Sequence, residues 1–157
     1  MVIGLSQVST PLDAFKLVAQ KTKQILNVNR VSVALLNDAG KLILFAVDDV
    51  EEGRTLPTSF SIDETSLSGT VITQQAPMLI SNTGDSHWKD VQKLDQMGLG
   101  AALVVPLISS RQVIGTLNTA AQDAGSYDAS SEQTLLEIDS VLATTLENQQ
   151  LYEQALE

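Results

Sequence analysis

The sequence predicts an α+β fold built on a central antiparallel sheet of five or six strands, with helices packed against it. Amphipathic helical patterns lie at both ends of the chain, and the residues between them form short apolar runs separated by polar turns. Short turns join antiparallel neighbours, and each amphipathic helix has one apolar side to bury. The helices are therefore expected to cover the sheet.

The first third of the chain predicts one helix followed by a hairpin. Apolar residues recur every three or four positions over residues 12–26, with lysines on the opposite side, and Thr10 before Pro11 suits a helix cap. Residues 31–36 and 41–47 are aliphatic or β-branched, and the Asn-Asp-Ala-Gly segment between them has the composition of a hairpin loop. These two runs are expected to pair as strands.

The middle of the chain predicts a loop, a strand and a helix. The acidic stretch 48–54 is expected to be a solvated loop, and residues 56–62 a further strand. A second helix is predicted to begin at Asp63 or Thr65 and to end near Gln75, with its apolar side buried.

Beyond this helix the sequence predicts small elements and then the clearest hairpin of the chain. Residues 76–80 read as a short strand, residues 81–86 as a turn, and residues 88–97 have a weak helical period. Residues 101–108 and 112–120 are apolar runs around Ser-Ser-Arg, which predicts a second antiparallel pair.

Individual residues and short patterns refine the prediction for the last third of the chain. Pro106 lacks an amide donor and is expected near a strand edge or end, whereas Gly115 within a strand indicates a bulge or a close backbone approach. Ser130 and Gln133 form a capping-box pattern, which predicts a long final helix after this point. Larger side chains of that helix follow heptad spacing: Leu135, Ile138, Leu142, Thr145, Gln149, Tyr152 and Leu156. This spacing predicts a homodimer through the terminal helices, although packing on the domain's own sheet explains the first three positions equally well.

Composition limits the classes of function. The 157 residues suffice for one domain with its own core, and 43% hydrophobic with 18% charged residues is ordinary for a globular protein. The chain has no cysteine and a single histidine, which excludes disulfides, thiolate chemistry and sites built from several imidazoles. A net charge of −10 repels nucleic acid. No apolar run reaches the roughly 18 residues of a membrane-spanning helix, and without a signal-peptide pattern the cytoplasm is expected.

Several stretches together resemble the GAF family of sensory domains. Residues 100–107 read Gly-Ala-Ala-Leu-Val-Val-Pro-Leu and residues 113–117 read Val-Ile-Gly-Thr-Leu, similar to that family's strand pair. Glu-Asn-Gln-Gln-Leu-Tyr at residues 147–152 is similar to the end of the family's closing helix, and Ser-Gly-Thr-Val at residues 68–71 to its middle helix. The likeness extends from about Pro11 to the end of the chain.

Residues that define several functional branches of the family are missing from this sequence. Members that attach bilins or reduce methionine sulfoxide depend on cysteine, which this chain lacks, so it resembles neither branch. The Asn-Lys-Phe-Asp-Glu signature linked to cyclic-nucleotide binding is also missing. The resemblance therefore names no ligand and no cofactor.

The resemblance implies a regulatory sensor without catalytic residues or metal ligands. Its terminal helices would lie on one face of the sheet and a pocket for a small molecule on the other. Residues 1–157 would form one sensor domain of a longer signalling protein, such as a histidine kinase or a cyclase, whose output domain receives the signal. Residues 81–90 would form the lid of the pocket, while Thr116 and Asn118 share one strand face that points into the pocket or into water. The candidate ligand-binding residues are Asn82, Asp85, His87, Trp88, Thr116 and Asn118.

Two alternatives to a ligand-binding sensor stay open on the sequence alone. The domain could be a dimerisation or scaffold module whose interior is filled by side chains. A more remote alternative is a small enzyme that uses Asp85 and His87, or a haem protein with His87 as ligand. Turn and cap residues also need no ligand: Asp85 or Ser86 would then cap a helix, and Trp88 would cover the edge of the core.

Overall fold

A computed structural model of the chain describes residues 11–49, 59–60 and 66–155. The elements in order are α1 (Pro11–Leu26), β1 (Arg30–Leu36), β2 (Leu42–Asp49), β3 (Ser59–Phe60), α2 (Leu67–Gln74), β4 (Met78–Ile80), a 3-10 turn (Thr83–Asp85), α3 (Lys89–Gln96), β5 (Ala101–Ser109), β6 (Gln112–Ala121) and α4 (Ser131–Ala155). The described residues thus form four α-helices and six strands, which confirms the predicted α+β class.

The six strands form one antiparallel sheet in the order β3-β2-β1-β6-β5-β4. The N-terminal hairpin and the C-terminal hairpin therefore meet at the centre of the sheet, where β1 pairs with β6. In this pairing Ser32 lies opposite Asn118, and Ala34 lies opposite Thr116. Because side chains alternate between the two faces of a strand, Ser32, Ala34, Thr116 and Asn118 all lie on one face.

The helices α1 and α4 share the other face of the sheet. The main core lies between these two helices and the central strands. The helices contribute Ala14, Phe15, Val18, Leu135, Ile138, Leu142 and Leu146, and the strands contribute Val31, Val33, Leu103, Val105, Leu107 and Leu117. The first heptad positions of α4 are therefore used inside the domain. The side chains of residues 148–157 lie outside the described residues, so the homodimer stays a prediction.

The opposite face of the sheet carries α2 and α3, which pack on it through a second, smaller core. Leu67 and Val71 of α2, Val91 of α3 and Val104 of β5 are buried together. Met78, Ile80 and Trp88 are half-buried against this cluster. One face of the sheet thus packs on a large apolar core, whereas the other face has a smaller core and also carries polar groups.

Two boundaries differ from the sequence-based expectation. The strand β2 runs through Asp48 and Asp49, which were expected to belong to a loop, because these residues pair with Val31 and Arg30 of β1. Lys23 of α1 also forms an ion pair with Asp48 at 2.7 Å. The helix α2 begins at Leu67, and Ser66 is its N-cap, since the Ser66 hydroxyl accepts a hydrogen bond from the Gly69 amide at 2.8 Å. Thr10, Asp63 and Thr65 lie outside the described residues, as does most of the strand predicted over residues 56–62.

The expectations for Gly115 and Pro106 follow from the sheet geometry. A Cβ atom on Gly115 would lie 2.0 Å from the carbonyl oxygen of Ala34, so the close approach of β1 requires glycine. Pro106 lies in β5 beyond the segment that pairs with β4, because Met78, the first residue of β4, lies opposite Val104. Its missing amide donor therefore costs no hydrogen bond to β4.

The start of α4 differs from the predicted capping box. Oδ1 of Asp128 accepts hydrogen bonds from the amide of Ser130 at 2.9 Å and from its hydroxyl at 2.7 Å. The helix begins at Ser131, so Ser130 occupies the predicted cap position, and its carbonyl accepts the first helical hydrogen bond, from the Thr134 amide at 3.0 Å. The Ser131 hydroxyl accepts a hydrogen bond from the Asp128 amide at 2.9 Å. Asp128, rather than the Ser130–Gln133 pair, therefore organises this end. Among the described helices, none combines the length and apolar character that a bilayer span requires.

Candidate functional site

A cluster of neutral polar side chains lies between the sheet and α2. The Ser68 hydroxyl of α2 donates to Oδ1 of Asn118 at 3.3 Å, and Nδ2 of Asn118 donates to the Ser32 hydroxyl at 3.1 Å. Thr116 occupies the same face of β6, two residues before Asn118. We call Ser32, Ser68, Thr116 and Asn118 the polar cluster.

Thr116 is the unusual member of the polar cluster. Its side chain is fully buried, and its Oγ1 atom has no hydrogen-bond partner within the described part of the chain. A buried hydroxyl without a partner typically costs about 1–3 kcal/mol, because the group loses its hydrogen bonds to water. The structure thus leaves one hydrogen-bonding group unused beside three that are connected to one another.

The position of α2 over the cluster is set by α3. Oδ1 of Asp90 accepts a hydrogen bond from the Leu67 amide at 2.8 Å, and Oδ2 accepts one from the Ser68 amide at 3.2 Å. Together with the Ser66 cap on Gly69, these contacts use the first free amides of α2. The negative charge of Asp90 also lies at the positive end of the helix dipole. The α2 N-terminus is therefore held to α3, with Ser68 placed above Asn118.

Trp88 is the aromatic boundary of this region. It precedes α3 as the N-cap residue and is half-buried against the apolar cluster of Leu67, Val71, Val91 and Val104. The His87 ring lies beside it, with 4.3 Å between ring centroids and an angle of 34° between ring planes. Trp88 is thus in contact with the same face of the sheet as the polar cluster, whereas His87 is exposed.

The remaining predicted ligand residues lie on the surface and have local structural contacts. Asn82 is exposed, and its Oδ1 accepts a hydrogen bond from the Gly84 amide at 3.0 Å at the start of the 3-10 turn. Asp85 is also exposed within that turn. The Ser86 hydroxyl accepts a hydrogen bond from the Trp88 amide at 3.1 Å. The structure therefore places Thr116 and Asn118 on the sheet face that carries α2, and Trp88 against the apolar cluster on that face, while Asn82, Asp85 and His87 are exposed.

Two strongly shifted ionisable groups lie on the other side of the sheet. Burial raises the pKa of Asp139 on α4 to about 8, and its Oδ1 has no hydrogen-bond partner among the described residues. Burial also raises the pKa of Tyr127 above its usual range, although its hydroxyl is 2.7 Å from that of Thr119. Neither group faces the polar cluster, so they do not supply acid–base chemistry there.

The polar cluster favours recognition over catalysis. Its hydroxyl and amide groups donate and accept hydrogen bonds, but hydroxyls and amides without a neighbouring base are poor nucleophiles and poor proton carriers near neutral pH. Sequence reasoning identified Thr116 and Asn118 from their shared strand face, but missed Ser32, Ser68 and Asp90. Ser68 lay within the Ser-Gly-Thr-Val segment, yet its contact with a strand fifty residues away has no local signal.

Comparisons with known proteins agree with this architecture. The model of the GAF domain family matches residues 10–147. The GAF domain of a two-component sensor histidine kinase from Bacillus halodurans has a similar structure, with a TM-score of 0.80 and 21% identity over 92% of this chain and 98% of that one. The GAF domain of an Acinetobacter phosphoenolpyruvate-protein phosphotransferase gives a TM-score of 0.78 at 16% identity, over 96% and 90%.

A third similar structure is the GAF-B domain of DevS from Mycobacterium smegmatis. Its TM-score is 0.72 at 21% identity, over 93% of this chain and 99% of that one. At these identities the likeness concerns the fold. No curated protein sequence matches the chain.

Proposed function

The chain belongs to the GAF domain family, and from this premise we propose that it is a sensory module that binds a small molecule between the sheet and α2. The observation that carries the proposal is the Thr116 hydroxyl, which is fully buried and has no partner within the described residues. A ligand with a polar group at this position would supply the missing hydrogen bond. Binding would then recover free energy that the ligand-free domain loses.

The polar cluster suggests how such a ligand is recognised. Ser32, Ser68 and Asn118 offer further hydroxyl and amide groups next to Thr116, and Trp88 offers an aromatic surface at the edge of the same region. A small metabolite or a nucleobase-like molecule with a planar body and a few hydrogen-bonding groups fits this combination. The exposed Asn82, Asp85 and His87 would contribute only if the 81–88 segment moved inward on binding.

The strand β6 provides a path from the ligand to the terminal helices. Its residues Thr116 and Asn118 belong to the polar cluster, whereas Leu117 and Ala121 belong to the core shared by α1 and α4. A small displacement of β6 would therefore change contacts on both faces at once. We propose that α1 and α4 pass this change to the output domain of a longer signalling protein, with no catalysis in the domain itself.

The similar structures support a signalling context. The Bacillus halodurans structure is a domain of a two-component sensor histidine kinase. We propose by analogy that this domain also belongs to a signalling chain, and that it forms a homodimer through its terminal helices. The heptad positions of α4 beyond Leu146 would then meet those of a second copy.

A ligand screen tests the sensory proposal. Trp88 is the only tryptophan of the chain, so its fluorescence reports on one position at the edge of the site. A metabolite that binds is expected to change Trp88 emission and to raise the melting temperature together. At a hundredfold excess over the dissociation constant the stabilisation is about 2.7 kcal/mol.

The screen also separates the alternatives. A scaffold whose interior is filled by side chains offers no volume for a ligand, so neither fluorescence nor melting temperature would respond to any compound. Turnover of a bound compound that is lost in Asp85→Asn or His87→Ala would instead favour the enzyme alternative.

A further inference from the structure

The turn between β5 and β6 has an unfavourable backbone for its sequence. Ser110 and Arg111 form this two-residue turn with φ angles of 50° and 67°. Two consecutive positive φ angles are typical of hairpin turns that favour Asn-Gly, because larger side chains crowd the backbone there. The conformation of the turn therefore gives no reason for a serine at position 110.

The hydroxyl groups of this turn contact the end of the packed part of the last helix. The Ser109 hydroxyl donates to Oε2 of Glu147 at 2.5 Å, and the Ser110 hydroxyl donates to Oε1 of the same carboxylate. These hydrogen bonds hold the pKa of Glu147 below its usual value, so the carboxylate is ionised when it accepts them. Both carboxylate oxygens of Glu147 thus accept hydrogen bonds from residues 38 and 37 positions earlier in the chain.

Glu147 directly follows the last buried residue of α4 among those whose side chains the structure describes. The preceding residue, Leu146, is buried in the core that α1 and α4 share. The helix continues to Ala155, eight residues beyond Glu147. The contact with the turn therefore lies at the end of the part of α4 whose packing the structure describes, and we call residues 148–155 the outgoing turns.

The same hairpin connects this contact to the polar cluster. Thr116 is four residues beyond Gln112, where β6 begins after the turn, and this corresponds to about 14 Å of extended strand. Over this length β6 is paired with β5 on one side, with a register shift opposite Leu107 and Ile108, and from Gly115 onward with β1 on the other. The strand therefore connects Thr116 directly to the turn.

We propose that Ser109, Ser110 and Glu147 form a hairpin–helix contact that holds the outgoing turns of α4 against the sheet, and that opening of this contact frees those turns. The use of the contact in signalling rests on the proposed sensory function. Its holding action does not, because it requires no ligand. This role explains the positive φ angles of Ser110 and Arg111, because a turn with serines at positions 109 and 110 brings two hydroxyls to Glu147 and so positions the helix.

The experiment measures the outgoing turns of α4 in the ligand-free chain of 157 residues. Since the chain has no cysteine, nitroxide labels can be placed at Gln112→Cys and Gln150→Cys without background labelling. In the double variant Ser109→Ala/Ser110→Gly the distance distribution between these labels is expected to broaden. Amide hydrogen exchange of residues 147–155 is expected to become about fivefold faster, a small factor because hydrogen bonds at an exposed surface contribute little.

The variants keep the result interpretable. Glycine accepts the positive φ of Ser110, so the turn itself is not weakened by the substitution. Thr144→Ala is the matched control, because it removes an exposed hydroxyl of α4 that donates to the Ser140 carbonyl of the same helix at 3.0 Å. A second label pair, Gln112→Cys with Ser140→Cys, monitors the packed part of α4 and should stay unchanged.

The outcomes separate this inference from the sensory function. Broadening limited to the outgoing turns in Ser109→Ala/Ser110→Gly, with a smaller effect in Glu147→Gln and none in Thr144→Ala, supports the hairpin–helix contact. Unchanged distances and exchange in both Ser109→Ala/Ser110→Gly and Glu147→Gln would overturn it. Because no ligand is added, a failed metabolite screen leaves this result unaffected.

Discussion

The unpartnered hydroxyl of Thr116 makes a prediction whose sign is unusual for a buried residue. Thr116→Val replaces the hydroxyl with a methyl group of similar size at a fully buried position. Most substitutions in a protein core are destabilising. Here the group removed lacks a hydrogen bond within the described residues, so its loss removes a desolvation cost. We expect the ligand-free domain to become more stable.

The magnitude follows from the cost of an unpartnered buried hydroxyl, with Thr119→Val as the matched control. Thr116→Val is expected to stabilise by about 1 kcal/mol, which for this chain length raises the melting temperature by about 3 °C. Thr119 lies on the same strand, three residues later and on the other face, and is 2% exposed. Its hydroxyl donates to the Leu103 carbonyl at 3.0 Å and lies 2.7 Å from that of Tyr127. Thr119→Val should therefore destabilise by about 2 kcal/mol, because it leaves these partners without a hydrogen bond.

Thermal and urea unfolding of both variants, followed by Trp88 fluorescence and circular dichroism, measure these differences. With a ligand from the metabolite screen, Thr116→Val should bind about tenfold more weakly, whereas Thr119→Val should keep its affinity. The reasoning fails if Thr116→Val destabilises the free domain as much as Thr119→Val does. That result would mean that the Thr116 hydroxyl already has a partner in solution.

Three further predictions concern Asp139 on α4, Gly115 in the sheet and the proposed homodimer. Burial raises the pKa of Asp139 to about 8, above its unfolded value near 4, so the folded state binds the extra proton and stability falls as pH rises between these values. Asp139→Asn should match the wild type most closely near pH 4 and exceed it by a few kcal/mol at pH 9; a stability difference that does not change between these pH values would contradict this. Gly115→Ala places a Cβ atom 2.0 Å from the Ala34 carbonyl oxygen and should cost about 3 kcal/mol or more in urea unfolding, unless β1 can move away. Deletion of residues 148–157 should convert the proposed homodimer to a monomer in light scattering, and a wild-type chain that is monomeric at high micromolar concentration would exclude that assembly.

The elements of this protein could be predicted largely from local patterns. The three- and four-residue spacing of α1 and the apolar runs of β5 and β6 depend only on the periods of helix and strand, which neighbouring residues establish. The role of Gly115 was also predictable, since a glycine inside a strand usually marks a bulge or a close backbone approach. Boundaries were less predictable where pairing with a distant strand set them. The strand β2 continues through Asp48 and Asp49 because they pair with Val31 and Arg30 of β1, which no pattern near Asp48 indicates.

The candidate site was only partly predictable. Thr116 and Asn118 were identified because a two-residue spacing on a strand places them on one face. Asn82 and Asp85 had equally suitable side chains, but the structure uses Asn82 to cap a turn and leaves both exposed. A polar residue in a turn has the same sequence signature whether it binds a ligand or its own backbone.

Local sequence patterns were enough to predict the helices and strands, the family resemblance and the absence of thiol chemistry. Which polar groups meet depends on how distant segments pack. Ser32 and Asn118 are 86 residues apart and become neighbours because β1 pairs with β6, while Ser68 joins them because Asp90 holds the start of α2 in place. The same holds for Glu147, which meets Ser109 and Ser110 only after α4 has packed on the sheet. The physical reason is that periodicity reflects contacts along the chain, whereas a site depends on strand order and register, which are settled by packing between distant segments.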